Sequence, residues 1–415
     1  MASIGLFEAS ISLFCFLIFY YFFIKKNCGY LLIKKTLQSY AWNWPVLGML
    51  PALFVWHNGI DDIIWFIEKK NLTFLFKGPW FTRMDALITV DPANIHHIFS
   101  SNFSNYIKGS DFNEIFDVFG DAIFNTDSEL WKNQRMTCFS LFSIAIQRKG
   151  QSWTCRIEEI RSQGFDHDHS NGESEDLLTS HIKLDTSKYE LLKPNDDKFL
   201  RDTILTFIAA GRDTISTALT WFFGLLLKHP YVEAKIHQEI NTNLPKSRSS
   251  QERPWSAIDR KAYLNKLVYL HGALCEAMRL YPPVPFQRKS PIKSDVLPSG
   301  HKVDANSIII IPIYVLGRMR SVWGDDTLEF KPERWISETG GLRHEPSFKF
   351  LAFNSGPRTC PGKHLAMTSM KAIIVEILQH YDVKLIEGQK IEPKPRLVLQ
   401  MNHGLRVTLT KKYSS

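Results

Sequence analysis

The chain has 415 residues, which is long enough to bury a large core in one domain or two. Its formal net charge is +8, but lysine and arginine form no long run, which argues against a nucleic-acid partner and for a modest basic surface. The six cysteines show no paired spacing and no CxxC motif, which argues against a disulfide framework or a zinc site and favours a reducing compartment. They lie at positions 15, 28, 138, 155, 275 and 360.

Residues 1–26 are predicted to anchor the chain in a membrane. The first 24 residues are apolar except for Glu8, and about 20 apolar residues suffice to cross a bilayer. A cleaved signal peptide, the alternative, begins with basic residues, whereas here Lys25 and Lys26 follow the apolar run. Because positive charges stay on the cytosolic side, the sequence predicts a single-pass anchor in the endoplasmic reticulum membrane with the rest of the chain in the cytosol.

Residues 27–51 are predicted to form a basic, proline-containing hinge, and residues 52–415 are predicted to form the main domain. The hinge ends in WNWPVLGMLP, at residues 42–51, where two prolines and a glycine disfavour a helix. Beyond it, the hydrophobic periodicity predicts an amphipathic helix over residues 60–70 and short strands over residues 73–90.

The sequence WKNQR, at residues 131–135, is predicted to lie on a helix. Trp131 and Arg135 are four residues apart, so they share one helix face. Taken alone, such a pair indicates packing of an indole against an arginine stem. Upstream lies an apolar cluster that fits the wall of a pocket and the packing of a core equally well. Its members are Phe112, Ile115, Phe116, Val118 and Phe119.

One long helix is predicted over residues 196–228, with Lys228-His229-Pro230 as its stop signal. Its centre reads AAGRDT, where Gly211 costs the helix about 1 kcal/mol relative to alanine and predicts a kink. Asp213 and Thr214 follow and place an acid and a hydroxyl side by side. For this hexamer alone, the alternative is a glycine that packs against a neighbouring helix.

A second helix is predicted over residues 263–281, closed by Pro282-Pro283. It carries Glu276 and Arg279 three residues apart, which taken alone is a common surface pair. Arg334 follows later in the sequence PERW.

Two further segments are predicted to be extended. Residues 284–288 end in Arg288, and residues 308–313 form an isoleucine-rich strand. Near the C-terminus, apolar runs over residues 397–401 and 405–409 flank Asn402-His403-Gly404, which predicts a β-hairpin.

The sequence FNSGPRTCPG, at residues 353–362, surrounds Cys360 with conditions that favour a metal-binding thiolate. A thiolate needs backbone N–H groups or a helix N-terminus nearby. Gly356 and Gly362 permit a close backbone turn around the sulfur. The apolar spacing from Leu365 onward predicts a helix whose positive end points towards Cys360. For a lone cysteine in a turn, a buried free thiol is the alternative.

Together with the motifs above, this decapeptide resembles the haem-binding signature of the cytochrome P-450 superfamily. The match rests on Phe353, Gly356, Arg358, Cys360 and Gly362. It is most similar to plant alkane mid-chain hydroxylases and fatty-acid omega-hydroxylases, although Pro361 stands where those relatives usually carry leucine. The resemblance implies a mainly α fold with a minor β region. It also implies a haem-thiolate monooxygenase that hydroxylates long aliphatic chains, with mid-chain alkane hydroxylation in wax biosynthesis first and fatty-acid omega-hydroxylation second.

The resemblance implies a cofactor and partners. Cys360 would ligate the iron of haem b, and Phe353 and Gly362 would lie beside it in the binding loop. The carboxylates of the haem would be held by Trp131, Arg135, Arg288 and Arg358. Electrons would come from NADPH through a flavoprotein reductase, for which a basic face is available, and dioxygen and a hydrophobic long-chain substrate would complete the reaction.

The resemblance also assigns two groups of supporting residues. Asp213 and Thr214 would deliver protons to bound dioxygen. Glu276, Arg279 and Arg334 would form a buried network that supports the haem pocket.

Residues 136–195 depart from the family pattern. These 60 residues stand where the family has four helices, conventionally D to G, and they include the polar stretch DHDHSNGESE. The chain is therefore expected to lack much of that region, so the alternative function is a truncated, catalytically inactive, membrane-anchored member of the family. An isomerase-type member without a reductase is disfavoured, because Asp213 and Thr214 suit oxygen activation.

Overall fold

A computed structural model gives the structure of most of the chain from Asn43 onward. It describes residues 43–52, 60–82, 84–142, 191–193, 196–243, 262–394 and 396–412. The predicted anchor and most of the region 136–195 lie outside these residues. Within the described residues, no helix combines the length and the apolar character needed to span a membrane.

The chain divides into two compact units. The first comprises Met1–Lys69 and Leu75–Ala86, and the second comprises Lys70–Phe74 and Leu87–Ser415. Within the first unit, α1 (Ile60–Lys69) buries Ile64, Phe66 and Ile67, so the predicted amphipathic helix is present.

Helices account for most of the regular structure among the described residues, in agreement with the predicted fold class. After α1 they are α2 (Pro92–His96), α3 (Ser110–Ile115), α4 (Ser128–Phe142), α5 (Asp197–Leu226), α6 (Pro230–Asn243), α7 (Val268–Leu280), α8 (Ile313–Leu316), α9 (Arg320–Trp323) and α10 (Lys363–His380). The long helices α5, α7 and α10 pack against one another and enclose the main apolar core of the second unit.

The β content is minor. The strands are β1 (Thr73–Phe76), β2 (Ala86–Thr89), β3 (Tyr106–Ile107), β4 (Gln287–Pro291), β5 (Asp295–Val296), β6 (Lys302–Val303), β7 (Ile308–Ile311), β8 (Tyr381–Leu385), β9 (Pro393–Lys394), β10 (Gln400–Met401) and β11 (Val407–Lys411). One sheet has the order β1-β2-β7-β4-β3, and the other strands form two-stranded ribbons. In the larger sheet, Arg288 pairs with Ile310 and Lys289 with Ile309, in antiparallel register.

Helix α5 follows its sequence signals closely. The Asp196 carboxylate caps the helix by accepting hydrogen bonds from the N–H groups of Lys198, at 2.8 Å, and Phe199. The helix ends at Leu226, shortly before Pro230. It runs through Gly211 without interruption, so the glycine does not break the hydrogen-bonded helix.

The helix predicted over residues 263–281 is interrupted. A short turn of helix covers residues 262–265, and α7 starts at Val268 after a break. Lys371, only 4% exposed, donates to the carbonyl groups of Leu264 and Leu267, at 2.9 Å each. The Glu239 carboxylate accepts the first N–H groups of α7. Two charged side chains distant in sequence thus stabilise both ends of the break.

The predicted C-terminal hairpin is wrong. The turn itself is present, because the N–H of Gly404 donates to the carbonyl of Met401 at 3.1 Å. The flanking strands β10 and β11 do not pair with each other. Strand β10 pairs with β9, and β11 pairs with β8, the strand that directly follows α10, both in antiparallel fashion. The residues of the turn therefore predict the turn correctly. They do not predict which strands pair, because pairing depends on where the rest of the chain places an unpaired strand edge.

Candidate functional site

The loop before α10 folds tightly around Cys360. The Cys360 N–H donates to the carbonyl of Phe353 at 2.7 Å, and the Thr359 hydroxyl donates to the carbonyl of Gly356 at 2.7 Å. Gly356 has φ +60°, and a Cβ there would lie 1.8 Å from the Phe99 carbonyl oxygen. Gly356 is thus required by both conformation and space. Gly362 has φ −84°, so it does not use the positive φ that glycine permits, and this part of the prediction is wrong for Gly362.

The surroundings of Cys360 act in two opposite ways on its negatively charged thiolate form. Burial raises the pKa of the Cys360 thiol above its usual value, while the N–H of Gly362 and the Arg135 guanidinium act in the opposite direction. The N–H of Lys363, at the first turn of α10, adds to this second effect. A sulfur in this position can hold a thiolate once a metal ion replaces its proton.

Arg358 connects the cysteine loop to the segment that leads into α4. Its guanidinium donates to the Thr126 carbonyl at 2.9 Å and to the Asp127 carboxylate. It also lies 4.1 Å from the centre of the Trp131 ring, which is 5% exposed. Burial lowers the pKa of Arg358 to about 10, against the raising effect of Asp127. Arg135 lies 5.6 Å from the same ring.

Two further lysines lie in the same region and are not among the residues predicted from the sequence: Lys289 is buried, and Lys108 is half-buried. Lys289 is 2% exposed, with its ammonium 5.2 Å from the Phe99 ring and 3.4 Å from the Tyr106 carbonyl. Burial lowers the pKa of Lys289 to about 7. The Lys108 ammonium lies 4.9 Å from the Phe112 ring, and burial, followed by repulsion from Arg358 and Lys289, lowers its pKa well below the usual value.

Arg288 occupies the neighbouring position on β4. It donates to the Asp111 carboxylate at 2.6 Å, with 13% of the arginine side chain exposed against 63% of the aspartate. Its Nε–H and that of Arg358 are buried without a hydrogen-bond acceptor. Unpaired buried donors of this kind are uncommon and cost free energy unless a bound group satisfies them.

Among the described residues, this region brings more cations than carboxylates close together. Its partly or fully buried cations are Lys108, Arg135, Arg288, Lys289 and Arg358. Arg288 contacts the Asp111 carboxylate, and Arg358 contacts the Asp127 carboxylate. Two unpaired guanidinium N–H groups and an excess of cations beside a cysteine loop fit a cofactor that carries carboxylates, as haem does. The residues present are therefore suited to the group that the resemblance implies.

Glu276, Arg279 and Arg334 are brought together in the second unit. Arg279 forms two hydrogen bonds with the Glu276 carboxylate, at 2.7 and 2.8 Å, and both side chains are fully buried. The Nε of Arg334 lies 3.4 Å from the same carboxylate. Trp335 completes the shell by donating its indole N–H to Glu276 at 2.8 Å. All these donors are satisfied by one carboxylate, so the network depends on Glu276.

Asp213 and Thr214 lie on α5, where they contact their own helix. The Thr214 hydroxyl donates to the Ala210 carbonyl at 2.5 Å, one turn earlier. The Asp213 side chain is 56% exposed, with Arg212 4.0 Å away. Asp213 is thus exposed on α5 and Thr214 is half-buried. The contacts given for these two side chains do not include the residues around Cys360.

Comparisons with known proteins agree on one family. The family model described as Cytochrome P450 matches residues 156–409. Alkane hydroxylase MAH1 of Arabidopsis thaliana is 41% identical over 99% of this chain and 100% of its own length. Noroxomaritidine synthase 2 of Narcissus pseudonarcissus is 32% identical over 98% of this chain and 96% of its own length. Cytochrome P450 86B1 of Arabidopsis thaliana is 32% identical over 88% of this chain and 85% of its own length.

The alignment with the alkane hydroxylase also shows a length difference. It spans 519 positions, whereas this chain has 415 residues, so more than a hundred positions of the relative have no counterpart here. From the family match and the full-length similarity, the chain belongs to the cytochrome P450 family and is a cytochrome P450 monooxygenase close to plant alkane hydroxylases.

Proposed function

We propose that this chain hydroxylates long aliphatic chains with haem b bound through Cys360. The observation that carries the proposal is the tight cysteine loop beside an excess of partly or fully buried cations and two unpaired guanidinium N–H groups. Electrons come from NADPH through a flavoprotein reductase. Residues 1–26 anchor the chain in the endoplasmic reticulum membrane, residues 27–51 form the hinge, and residues 52–415 form the cytosolic catalytic domain.

Each group of residues has a distinct task in this proposal. Bound haem supplies the activation of dioxygen and the insertion of one oxygen atom into a C–H bond. The cations around Arg358 hold the haem carboxylates, with Trp131 packed against the guanidinium. Thr214 and Asp213 hold and transfer protons on the side of α5, with Asp213 exchanging protons with solvent through its exposed carboxylate.

Mid-chain alkane carbons are the first substrate position that we propose, and the terminal carbon of fatty acids is the second. The similarity to a protein named as an alkane hydroxylase, at 41% identity, supports the first choice. Both substrates are long apolar chains, so they would enter from a lipid phase and need few polar contacts for binding.

The test uses the full chain expressed with haem. Reduction under carbon monoxide is expected to give the red-shifted Soret band of a thiolate-ligated haem. Added reductase, NADPH and a long-chain alkane are then expected to yield a secondary alcohol. Folded protein without the red-shifted band would contradict the proposal. A terminal alcohol from a fatty acid, with no product from alkane, would select the second substrate.

A second candidate function is that of an inactive, membrane-anchored family member. One observation favours it: more than one hundred positions of the aligned alkane hydroxylase have no counterpart in this chain. A normal red-shifted band together with NADPH oxidation that yields no hydroxylated product would support this candidate.

Lys289 provides a test of the carboxylate site that does not require turnover. Lys289→Met should raise the free energy of unfolding of the haem-free chain by about 1–3 kcal/mol, because a poorly compensated buried charge is removed. It should also weaken haem binding by about tenfold or more, because a charged donor to a carboxylate is lost. Chemical denaturation and haem titration measure the two effects.

Lys289 also makes the free energy of unfolding depend on pH, and the sign of this dependence is definite. The pKa of Lys289 falls from its ordinary value near 10.5 to about 7 on folding, so its destabilising effect is full below about pH 7 and declines as pH rises towards 10.5. This part of the pH profile should be absent from Lys289→Met. The matched control is Lys371→Met, another buried lysine, which should lower stability because two carbonyls lose their donor, and should leave haem affinity unchanged. Equal haem affinity in Lys289→Met and the parent would contradict the assignment.

A further inference from the structure

A wide helical turn, which we call the π turn, follows α2 directly. It covers His97–Ser101, and the Asn102 N–H closes it by donating to the His97 carbonyl, five positions earlier, at 2.9 Å. Turns of this width are rare, occur mostly as single turns, and are frequent at functional sites. Ile98 and Phe99, in the middle of the π turn, are fully buried, so the turn is part of the interior of the second unit.

Phe99 contacts two parts of the candidate site. Its carbonyl oxygen lies against the cysteine loop, where a Cβ added to Gly356 would come within 1.8 Å of it and within 3.1 Å of the Ser100 hydroxyl. Its ring lies 5.2 Å from the Lys289 ammonium. Because a packed interior transmits displacements, a shift of the π turn would move both the loop that carries Cys360 and the lysine.

One carboxylate holds both ends of the π turn. The Oδ2 atom of Asp295, on β5, accepts a hydrogen bond from the ring of His97, the first residue of the turn, at 2.8 Å. It accepts a second from the side-chain amide of Asn102, the residue after the turn, at 2.9 Å. The Tyr106 hydroxyl donates to the same oxygen at 2.7 Å. Asp295 lies 198 positions after His97, so this arrangement exists only in the folded chain.

The Asp295 carboxylate is suited to hold a turn in place. Burial raises the pKa of Asp295, but the hydrogen bonds from His97, Tyr106 and Asn102 outweigh burial and hold it below its usual range. Hydrogen bonds to a charged acceptor are about twice as strong as those between neutral groups. The side chains of Asp295 and His97 are only 20% and 22% exposed, so water competes little for these bonds.

Asp295 acts on the cysteine loop through the π turn. The hydrogen bonds given for its carboxylate among the described residues come from His97, Asn102, Tyr106 and the Val296 N–H. The cysteine loop and its cations are not among these donors. The path from the carboxylate to Gly356 therefore runs through the backbone of the π turn.

We propose that Asp295 is a positioning residue for the cysteine loop. By fixing both ends of the π turn, it holds Phe99 against Gly356 and beside Lys289, and it thereby keeps the loop in the shape in which Cys360 can bind a metal. That Cys360 ligates haem rests on the proposed function above, whereas the shape of the loop can be measured in the haem-free chain.

The first test measures the alkylation of each cysteine by iodoacetamide in the haem-free full chain, with mass spectrometry as the readout. Asp295→Ala removes the shared acceptor and should raise the alkylation rate of Cys360 about fivefold or more, because the loop opens more often. Cys275, 7% exposed on α7, reports general unfolding, and its rate should change less than about twofold. Asn102→Ala removes one donor and leaves the carboxylate in place, so it should give a smaller increase at Cys360 alone.

Asp91→Ala is the matched control. Asp91 precedes α2 in the same segment and caps it by accepting the Ala93 N–H at 2.8 Å. Its loss weakens an ordinary helix cap but leaves both ends of the π turn held by Asp295, so the alkylation rate of Cys360 should stay within about twofold of the parent.

The second test uses the haem-loaded chain. Transfer of haem to an excess of haem-free myoglobin should be about tenfold faster from Asp295→Ala than from the parent and from Asp91→Ala, since residues that orient a ligand affect metal affinity by about 10- to 100-fold.

Two results would overturn the proposal. One is an alkylation rate of Cys360 that is the same in Asp295→Ala, Asn102→Ala and the parent. The other is an increase of equal size at Cys360 and Cys275, because this would show general destabilisation. A parent chain that lacks the red-shifted Soret band contradicts the proposed function instead, and the alkylation of the haem-free chain then still decides whether Asp295 positions the loop.

Discussion

Glu276→Ala is expected to lower the free energy of unfolding by about 3–5 kcal/mol and to abolish haem incorporation. The Glu276 carboxylate is fully buried and accepts hydrogen bonds from Arg279, Arg334 and Trp335. Its removal leaves the Arg279 guanidinium, also fully buried, without its counter-charge. Natural domains are stable by only about 5–15 kcal/mol, so this loss is a large part of the total.

Glu333→Ala is the matched control for this experiment. Glu333 neighbours Arg334 in sequence and pairs with Lys235 at 2.8 Å, but the two side chains are 39% and 34% exposed. An ion pair with this exposure contributes about 0–1 kcal/mol, so the control should unfold almost like the parent. Unfolding curves and the haem content of purified protein are the measurements. An unchanged unfolding midpoint and full haem content in Glu276→Ala would show that the network does not support the pocket.

The features predictable from the sequence are those determined by nearby residues. The start of α10 directly after the cysteine loop follows from the proline-glycine exit and the apolar spacing from Leu365 onward. The N-cap of α5 follows from Asp196. The contact of Glu276 with Arg279 follows from their spacing of one helical turn. Each needs only geometry within a single element.

The features missed in the sequence depend on contacts between distant segments. The cluster of charges that includes Lys108, Lys289 and Asp127 forms only when the fold brings these residues near Arg358, more than 200 positions from Asp127. One signal was available: β4 alternates Arg288 and Lys289 across its two faces, so at least one basic residue had to point inward. The break before α7 is another such case, because Lys371 comes from α10.

Cys360→Ser is expected to remove the red-shifted Soret band of the reduced carbon monoxide complex while leaving the fold nearly unchanged. Serine is close to cysteine in size, and the backbone bonds that shape the loop, from Cys360 to Phe353 and from Thr359 to Gly356, do not use the sulfur. The hydroxyl stays protonated at neutral pH and donates far less electron density to iron than a thiolate does. The chain should therefore fold, bind haem weakly or with another ligand, and lose hydroxylation.

Cys138→Ser is the control that isolates the role of the ligand. Cys138 is 2% exposed, lies on α4, and interacts electrostatically with both Arg135 and Cys360, so it is the described cysteine with surroundings most like those of the proposed ligand. Burial raises the pKa of Cys138 to about 12, which leaves it a neutral thiol that packs as an apolar side chain. The red-shifted band should persist in Cys138→Ser and vanish in Cys360→Ser. A band that survives in Cys360→Ser would mean that the loop beside Arg358 does not supply the thiolate, and the assignment of the whole carboxylate site around it would then fail with it.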